Sequence, residues 1–180
     1  MRLNRLGRNG PEVSEICLGT MTFGDQNSEA DAHAQIERAL ERGVNFIDTA
    51  ELYPVPPKAD THSRTESYIG SWLARNPGRR GDIVLATKVA GRSRILPWIR
   101  GDQDELPVVD RSNIERALEG SLRRLQTDYV DLYQIHWPER NVPKFGAARF
   151  DPEQEWDATP IHEQLEVLKD LVDAGKVRYI

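Results

Sequence analysis

Asp48, Tyr53, Lys88 and His136 are the residues of this sequence whose types and spacing could do chemistry together. Asp48 and Tyr53 stand in "VNFIDTAELYP", Lys88 in "DIVLATKV" and His136 in "YVDLYQIHW". Each closes or just follows an apolar run that reads as a buried strand. Neighbouring strands lie about 4.8 Å apart, so polar side chains at equivalent ends of successive strands can converge on one spot. A phenol titrates near pH ~10, too high to exchange protons readily at neutral pH. A nearby ammonium stabilises phenolate and lowers that value. A carboxylate paired with the lysine keeps the ammonium in place and charged. An imidazole beside the phenol can orient a carbonyl oxygen or share the proton. Tyr53 is then a candidate general acid, Lys88 its tuner, Asp48 the holder of Lys88 and His136 the orienting group. No residue is an obvious nucleophile, and no cluster of His, Cys or Asp has metal-ligand spacing, so no metal is expected. A proton donor without a nucleophile suits carbonyl reduction, with hydride coming from a cofactor. Taken singly, each residue has an ordinary explanation as a turn, cap or rim residue. Four on consecutive strands, in a mutually useful set, are much harder to attribute to chance.

Residues so far apart in the chain meet only if regular elements bring them together. Asn9-Gly10 lies between two short apolar-containing runs and predicts a hairpin, because Asn-Gly tolerates positive φ. Ile16 and Leu18 open a further strand that ends in "GTMTFG". A helix follows, with Ser28 and Asp31 at its start, Ala32, Ile36, Ala39 and Leu40 on one face, and Gly43 at its end. A second helix carries a capping box, Ser63 with Glu66, and an apolar face of Ile69, Trp72 and Leu73. A third repeats the pattern with Ser112 and Glu115, and a stripe of Ile114, Leu118, Leu122 and Leu125. In the fourth, Thr159 is the expected cap, Pro160 the first helical residue, Ile161, Leu165, Leu168 and Val172 point inward, and Gly175 ends it. "KVRYI" starts one more strand.

The order is a hairpin, four β-α units and the start of a fifth strand. Such alternation means right-handed, parallel βαβ units in an α/β fold. A doubly wound sheet and a (β/α)8 barrel both fit, and no G-x-G-x-x-G follows the first strand to favour a dinucleotide-binding Rossmann unit. Links from helix to strand are short, whereas those after strands are long: roughly 51–62, 89–109 and 137–159. Long loops usually carry function, and these lie at the carboxyl ends of strands, where barrel active sites sit.

The 180 residues suit a single domain, taken as 1–180. With 38% hydrophobic and 29% charged residues, the chain can build a core. A net charge of −5 argues against nucleic acid or an anionic membrane as partner. No apolar run approaches the ~20 residues of a membrane span. The basic start "MRLNRLGRNG" has no apolar region of a secretory signal. These points predict a cytoplasmic protein. Cys17, the single cysteine, is read as a small core residue. His33 and His162 fall in helices and are expected to be solvated.

The sequence resembles the aldo-keto reductase superfamily, particularly its bacterial oxidoreductase branch. The resemblance rests on "LGTMTFG" (18–24), "NFIDTAELYP" (45–54), "LATKV" (85–89) and "SLRRLQTDYVDLYQIHWP" (121–138), and runs along the whole chain. It implies a (β/α)8 TIM-type barrel, of which this chain supplies the N-terminal half, and the cofactor NADP(H). It implies a catalytic set of Tyr53, Lys88, Asp48 and His136, with Tyr53 as proton donor to a small carbonyl substrate. Gly19, Thr20, Met21 and Asp48 would lie along the cofactor, and Tyr53, His136 and Trp137 along the substrate. Members of that family run to about twice this length. The later segments that grip the nicotinamide amide, the pyrophosphate and the 2′-phosphate are not in this chain. Three readings follow: the front half of an NADP-dependent reductase, a short binding or accessory protein without turnover, or a half-barrel completed by a second chain. A half-barrel on its own is expected to leave its inner face open and to self-associate.

Overall fold

The computed structural model describes residues 1–94, 96–101, 106–144, 146 and 149–180. Strands β1 (Leu3–Arg5) and β2 (Glu12–Ser14) form an antiparallel hairpin. Five further strands, β3 (Cys17–Gly19), β4 (Phe46–Asp48), β5 (Val84–Val89), β6 (Val130–Ile135) and β7 (Val177–Tyr179), form an all-parallel sheet in strict chain order. Helices α1 (Glu29–Glu41), α2 (Arg64–Arg75), α3 (Arg111–Leu125) and α4 (Ile161–Asp173) make the four crossovers. A doubly wound sheet reverses its strand order at a switch point. This sheet does not, so it is an arc of a (β/α)8 barrel.

The main core lies between helices and sheet. Ile36, Ile69, Trp72, Ile114, Leu118 and Leu125 from the helices meet Ile47, Leu85 and Tyr133 from the strands. At roughly 25 cal/mol per Å² of apolar area, this burial is the main force holding each crossover to its strands. A second, smaller cluster sits over the carboxyl ends of the strands. It joins Leu52, Ala90, Leu96, Ile99 and Trp137 from three different loops.

Several expectations shift on inspection. The hairpin closes through a six-residue loop in which Leu6 N–H donates to Pro11 O, and the left-handed residue is Gly7 at φ 64°, not Asn9 or Gly10. Ser28 and Asp31 do form a capping box on α1. Ser63 and Glu66 do not: Ser63 is left-handed at φ 66°, its hydroxyl donates to Glu51 O, and the Glu66 carboxylate turns inward. On α3 the cap is Asp110, which accepts from Asn113 N–H at 2.8 Å, two residues before the expected Ser112. On α4 Pro160 itself stands at the N-cap, and the buried face is Gln164, Val167, Leu168 and Leu171, while Ile161 and Leu165 are exposed. Cys17 is exposed on the outer strand rather than in the core. His33 is half-buried and ties α1 to α2 through Ser71 and Tyr68 O, whereas His162 is exposed as expected. On the inner face, the side of Lys88, Ala86 and its β6 partner Leu132 are buried, whereas Phe46, Asp48, Val84 and Gln134 are half-buried and Cys17 is exposed. Residues 102–105, within the long loop after β5, lie outside those described.

Candidate active site

Register explains why the four residues meet. Gly19 on β3 pairs with Asp48 on β4, Asp48 pairs with Ala86 on β5, and Lys88 on β5 pairs with Gln134 on β6. Asp48 and Lys88 therefore stand within one step of each other along the strands, on one face. Lys88 Nζ donates to Asp48 Oδ2 at 2.7 Å and to Thr49 O at 2.8 Å. The same ammonium lies 4.9 Å from the centroid of the Tyr53 ring. Tyr53 reaches it because the chain turns back directly after β4, with Tyr53 N–H donating to Ala50 O. His136 follows β6, where its N–H donates to Val89 O and extends the pairing with β5 by one residue. Its ring stands edge-on to Tyr53 at 5.5 Å between centroids.

Electrostatics assign His136 a state. Burial, helped by the Lys88 cation, pushes its imidazole down to about 4. It is neutral at pH 7, and its Nδ1 is buried without a hydrogen-bond partner. A neutral imidazole can hold a carbonyl oxygen by N–H donation without competing with Tyr53 as the acid.

The remaining sequence candidates surround this centre. Thr20 is fully buried, and both its N–H and its hydroxyl donate to Asp48 O. It thus fixes the β4 end that carries Asp48. Gly19 has nothing within 4 Å of where a Cβ would stand, leaving an open flank beside Asp48. Met21 is exposed. Trp137 is only 6% exposed; its ring packs 5.0 Å from His136 and its indole N–H donates to Arg92 O. It buttresses His136 from behind more than it offers a face of its own.

The family model for the "Aldo/keto reductase family" matches residues 15–180. The chain belongs to the aldo/keto reductase family. As a member of this family of oxidoreductases, it is 48% identical over 181 residues to "Protein tas" of Escherichia coli (strain K12), covering 100% of this chain and 51% of that protein. It is 38% identical over 180 residues to "Uncharacterized oxidoreductase YrpG" of Bacillus subtilis (strain 168), covering 100% of this chain and 48% of the relative. Among solved structures it resembles the thermostable aldo-keto reductase Tm1743, in complex with the inhibitor epalrestat, with a TM-score of 0.70 and 31% identity over 100% of this chain and 53% of that one. The chain spans about half the length of the curated relatives it matches.

Two residues beside this site escaped sequence reasoning. Glu51 and Arg100 form a buried ion pair, Arg100 Nη1 to Glu51 Oε1 at 2.5 Å, with side chains 2% and 4% exposed respectively. Burial raises the Glu51 carboxyl above its usual range, against the lowering pull of Arg100 and of the Ala90 N–H. Glu51 had a signal, since it is an acid inside the otherwise apolar stretch "AELYP". Arg100 had none, because it lies in a long irregular loop whose path no periodicity reveals.

Proposed function

We propose that this chain carries the proton-transfer site of an NADPH-dependent reductase of small aldehydes or ketones. The observation that supports it most is the convergence of Asp48, Lys88, Tyr53 and His136 at the carboxyl ends of adjacent strands. His136 holds the carbonyl oxygen of the substrate by hydrogen bonding. Tyr53 donates its proton to that oxygen as it gains charge. The Lys88 ammonium balances the charge left on Tyr53, and Asp48 with Thr49 O keeps the ammonium aimed. Bound NADPH supplies the hydride to the carbonyl carbon. The open flank at Gly19 fits a flat ring lying against Asp48, with Thr20 and Met21 beside it.

The test is Tyr53→Phe made in a complete barrel that includes this chain; it keeps the ring and removes the proton. Carbonyl reduction is expected to fall by at least the ~10²-fold typical of losing a positioned acid. NADPH affinity, followed by fluorescence titration, should stay within about twofold of the parent, because the ring is kept. Near-parental turnover in the Phe variant would remove Tyr53 from the role of acid.

A further inference from the structure

Glu51 occupies the turn between the two groups that must meet, Asp48 and Tyr53. Its backbone N–H donates to Lys88 O at 3.3 Å, and its Oε1 accepts from Ala90 N–H at 2.7 Å. It therefore grips the end of β5 on both sides of Val89, directly after Lys88. Its carbonyl accepts from Ser63 Oγ at 3.0 Å, which ties the turn to the start of α2. The next residue, Leu52, is the peg that enters the small apolar cluster over the strand ends. Tyr53 follows at once, so the ring that faces Lys88 hangs from a turn held by Glu51 and Leu52.

Arg100 closes this arrangement from the other side. Besides Glu51, its guanidinium donates to Ala90 O at 3.4 and 3.5 Å, to Val108 O at 3.3 Å and to Asn113 Oδ1 at 3.0 Å. One side chain thus joins both ends of the long loop after β5 to the turn that carries Tyr53. Its backbone sits at φ 65°, in the left-handed region. That conformation is strained for an arginine, so the surrounding contacts must hold it in place. A buried ion pair is seldom a net source of stability compared with a neutral pair of the same shape. What it does supply is direction, because a guanidinium fork accepts only a narrow set of geometries.

We infer that Glu51 and Arg100 are positioning residues, a buried clasp that couples the loop after β5 to the turn after β4 and so sets where Tyr53 stands against Lys88 and His136. This rests on the reductase reading only for its kinetic consequence. Its structural consequence can be measured without turnover. If the clasp opens, the Tyr53 turn loosens, water reaches His136, and the burial that suppresses protonation of that imidazole is lost.

The decisive variant is the double substitution Glu51→Gln/Arg100→Met in the full chain. It removes both charges together, so no lone charge is left buried, and Gln keeps an oxygen for Ala90 N–H. Its urea midpoint is expected to stay close to the parent. The His136 ring signal, followed by NMR through a pH titration and assigned with His136→Gln, is expected to move up by at least ~1 pH unit, from about 4 toward the ordinary 6.5. In a complete barrel that includes this chain, kcat for carbonyl reduction is expected to fall ~10- to 100-fold, the scale of a misplaced catalytic group, with NADPH affinity unchanged. A double variant with parental stability, parental His136 titration and unchanged Tyr53–His136 ring contacts would overturn the inference. If the double variant does not fold, Arg100→Lys provides the same test: it keeps a charge for Glu51 but loses the fork to Val108 and Asn113, so an unchanged His136 titration there also overturns it. Failure of the reductase reading looks different. In that case Tyr53→Phe leaves turnover intact while the His136 signal still moves in the double variant.

Discussion

Lys88 is claimed by three neighbours at once: the Asp48 carboxylate, the Thr49 carbonyl and the face of Tyr53. Lys88→Met keeps the length of the stem and removes the charge. Asp48 then loses its cation and Tyr53 the charge that balances its phenolate. In a complete barrel that includes this chain, carbonyl reduction is expected to fall by roughly 10²-fold or more and its pH profile to shift, read from initial rates across pH. An unchanged profile at full activity would leave Lys88 as a rim residue. His136 gives a second prediction, on stability. Its folded imidazole titrates at about 4, below the ordinary 6.5. Between those values the unfolded chain takes up a proton that the folded one refuses, so acid favours unfolding in that window. The contribution is fully present above pH 6.5 and is lost as pH falls toward 4. At ~1.4 kcal/mol per unit, the loss reaches roughly 3 kcal/mol by pH 4. His136→Gln cannot bind that proton, so between pH 7 and 4 its urea midpoint should fall less than that of the parent. Equal losses in the two proteins would show that His136 is not held neutral by the fold. At this scale Asp48, Tyr53, Lys88 and His136 were legible because each ends a strand, and strand ends are visible in a sequence. The Glu51–Arg100 clasp was not, since 49 residues and an irregular loop separate its halves.

Between elements, the closest approach is that of α2 to the end of α3. A Cβ on Gly70 would stand 1.9 Å from Arg124 O and 2.9 Å from Leu125 C, both backbone atoms that cannot step aside. In an open helix Gly→Ala gains about 1 kcal/mol of helix propensity. Here the helices would have to part, and overpacking of this kind costs ~1–3 kcal/mol or more. Gly70→Ala is therefore expected to lower stability by at least ~2 kcal/mol, seen as a lower thermal midpoint in circular dichroism. A gain in midpoint would show that α2 and α3 are not held this close. The same junction carries fully buried Glu66, which accepts from Thr87 Oγ1 at 2.6 Å and from Arg124 Nε at 2.7 Å. That explains why the capping box read from Ser63 and Glu66 does not form: the carboxylate is taken by β5 and α3 instead. Apolar stripes on α1, α2 and α3 were readable because helical periodicity survives tertiary context. Caps were less so, since Asp110, Ser112 and Thr159 all have side chains able to cap and only the path of the chain selects one. On α4 the expected face (Ile161, Leu165, Leu168 and Val172) and the observed one (Val167, Leu168 and Leu171) share Leu168 and differ by a rotation of the helix, and apolar residues spread so widely round it do not say which side the sheet is on.

For the 180-residue chain taken by itself, the sheet has two outer strands. Among the described residues, β3 pairs only with β4, and β7 only with β6, so each presents a row of backbone donors and acceptors along its outer edge. Such edges invite pairing with another chain. Several exposed apolar side chains lie at these same margins. Ile16 and Met21 flank β3, Ile180 follows β7 at 53% exposure, and Ile161 and Leu165 lie on α4 at 61% and 45%. Each such side chain is worth roughly 1.5–3 kcal/mol when fully buried. A handful together is comparable to the ~5–15 kcal/mol net stability of an ordinary domain. The charge opposing association is modest, a net −5. The chain is therefore expected to self-associate through its margins, to bind hydrophobic dye, and to show no NADPH-dependent reduction on its own. Light scattering on the purified 180-residue chain, with a carbonyl-reduction assay alongside, measures this. Changing Ile161 and Leu165 to lysine should shift the distribution toward monomer if α4 is one of the contacts, and leave it in place if only the strand edges pair. A monodisperse, cooperatively melting parent would show that the arc is stable without closure, and that its edges and apolar margins are tolerated in water.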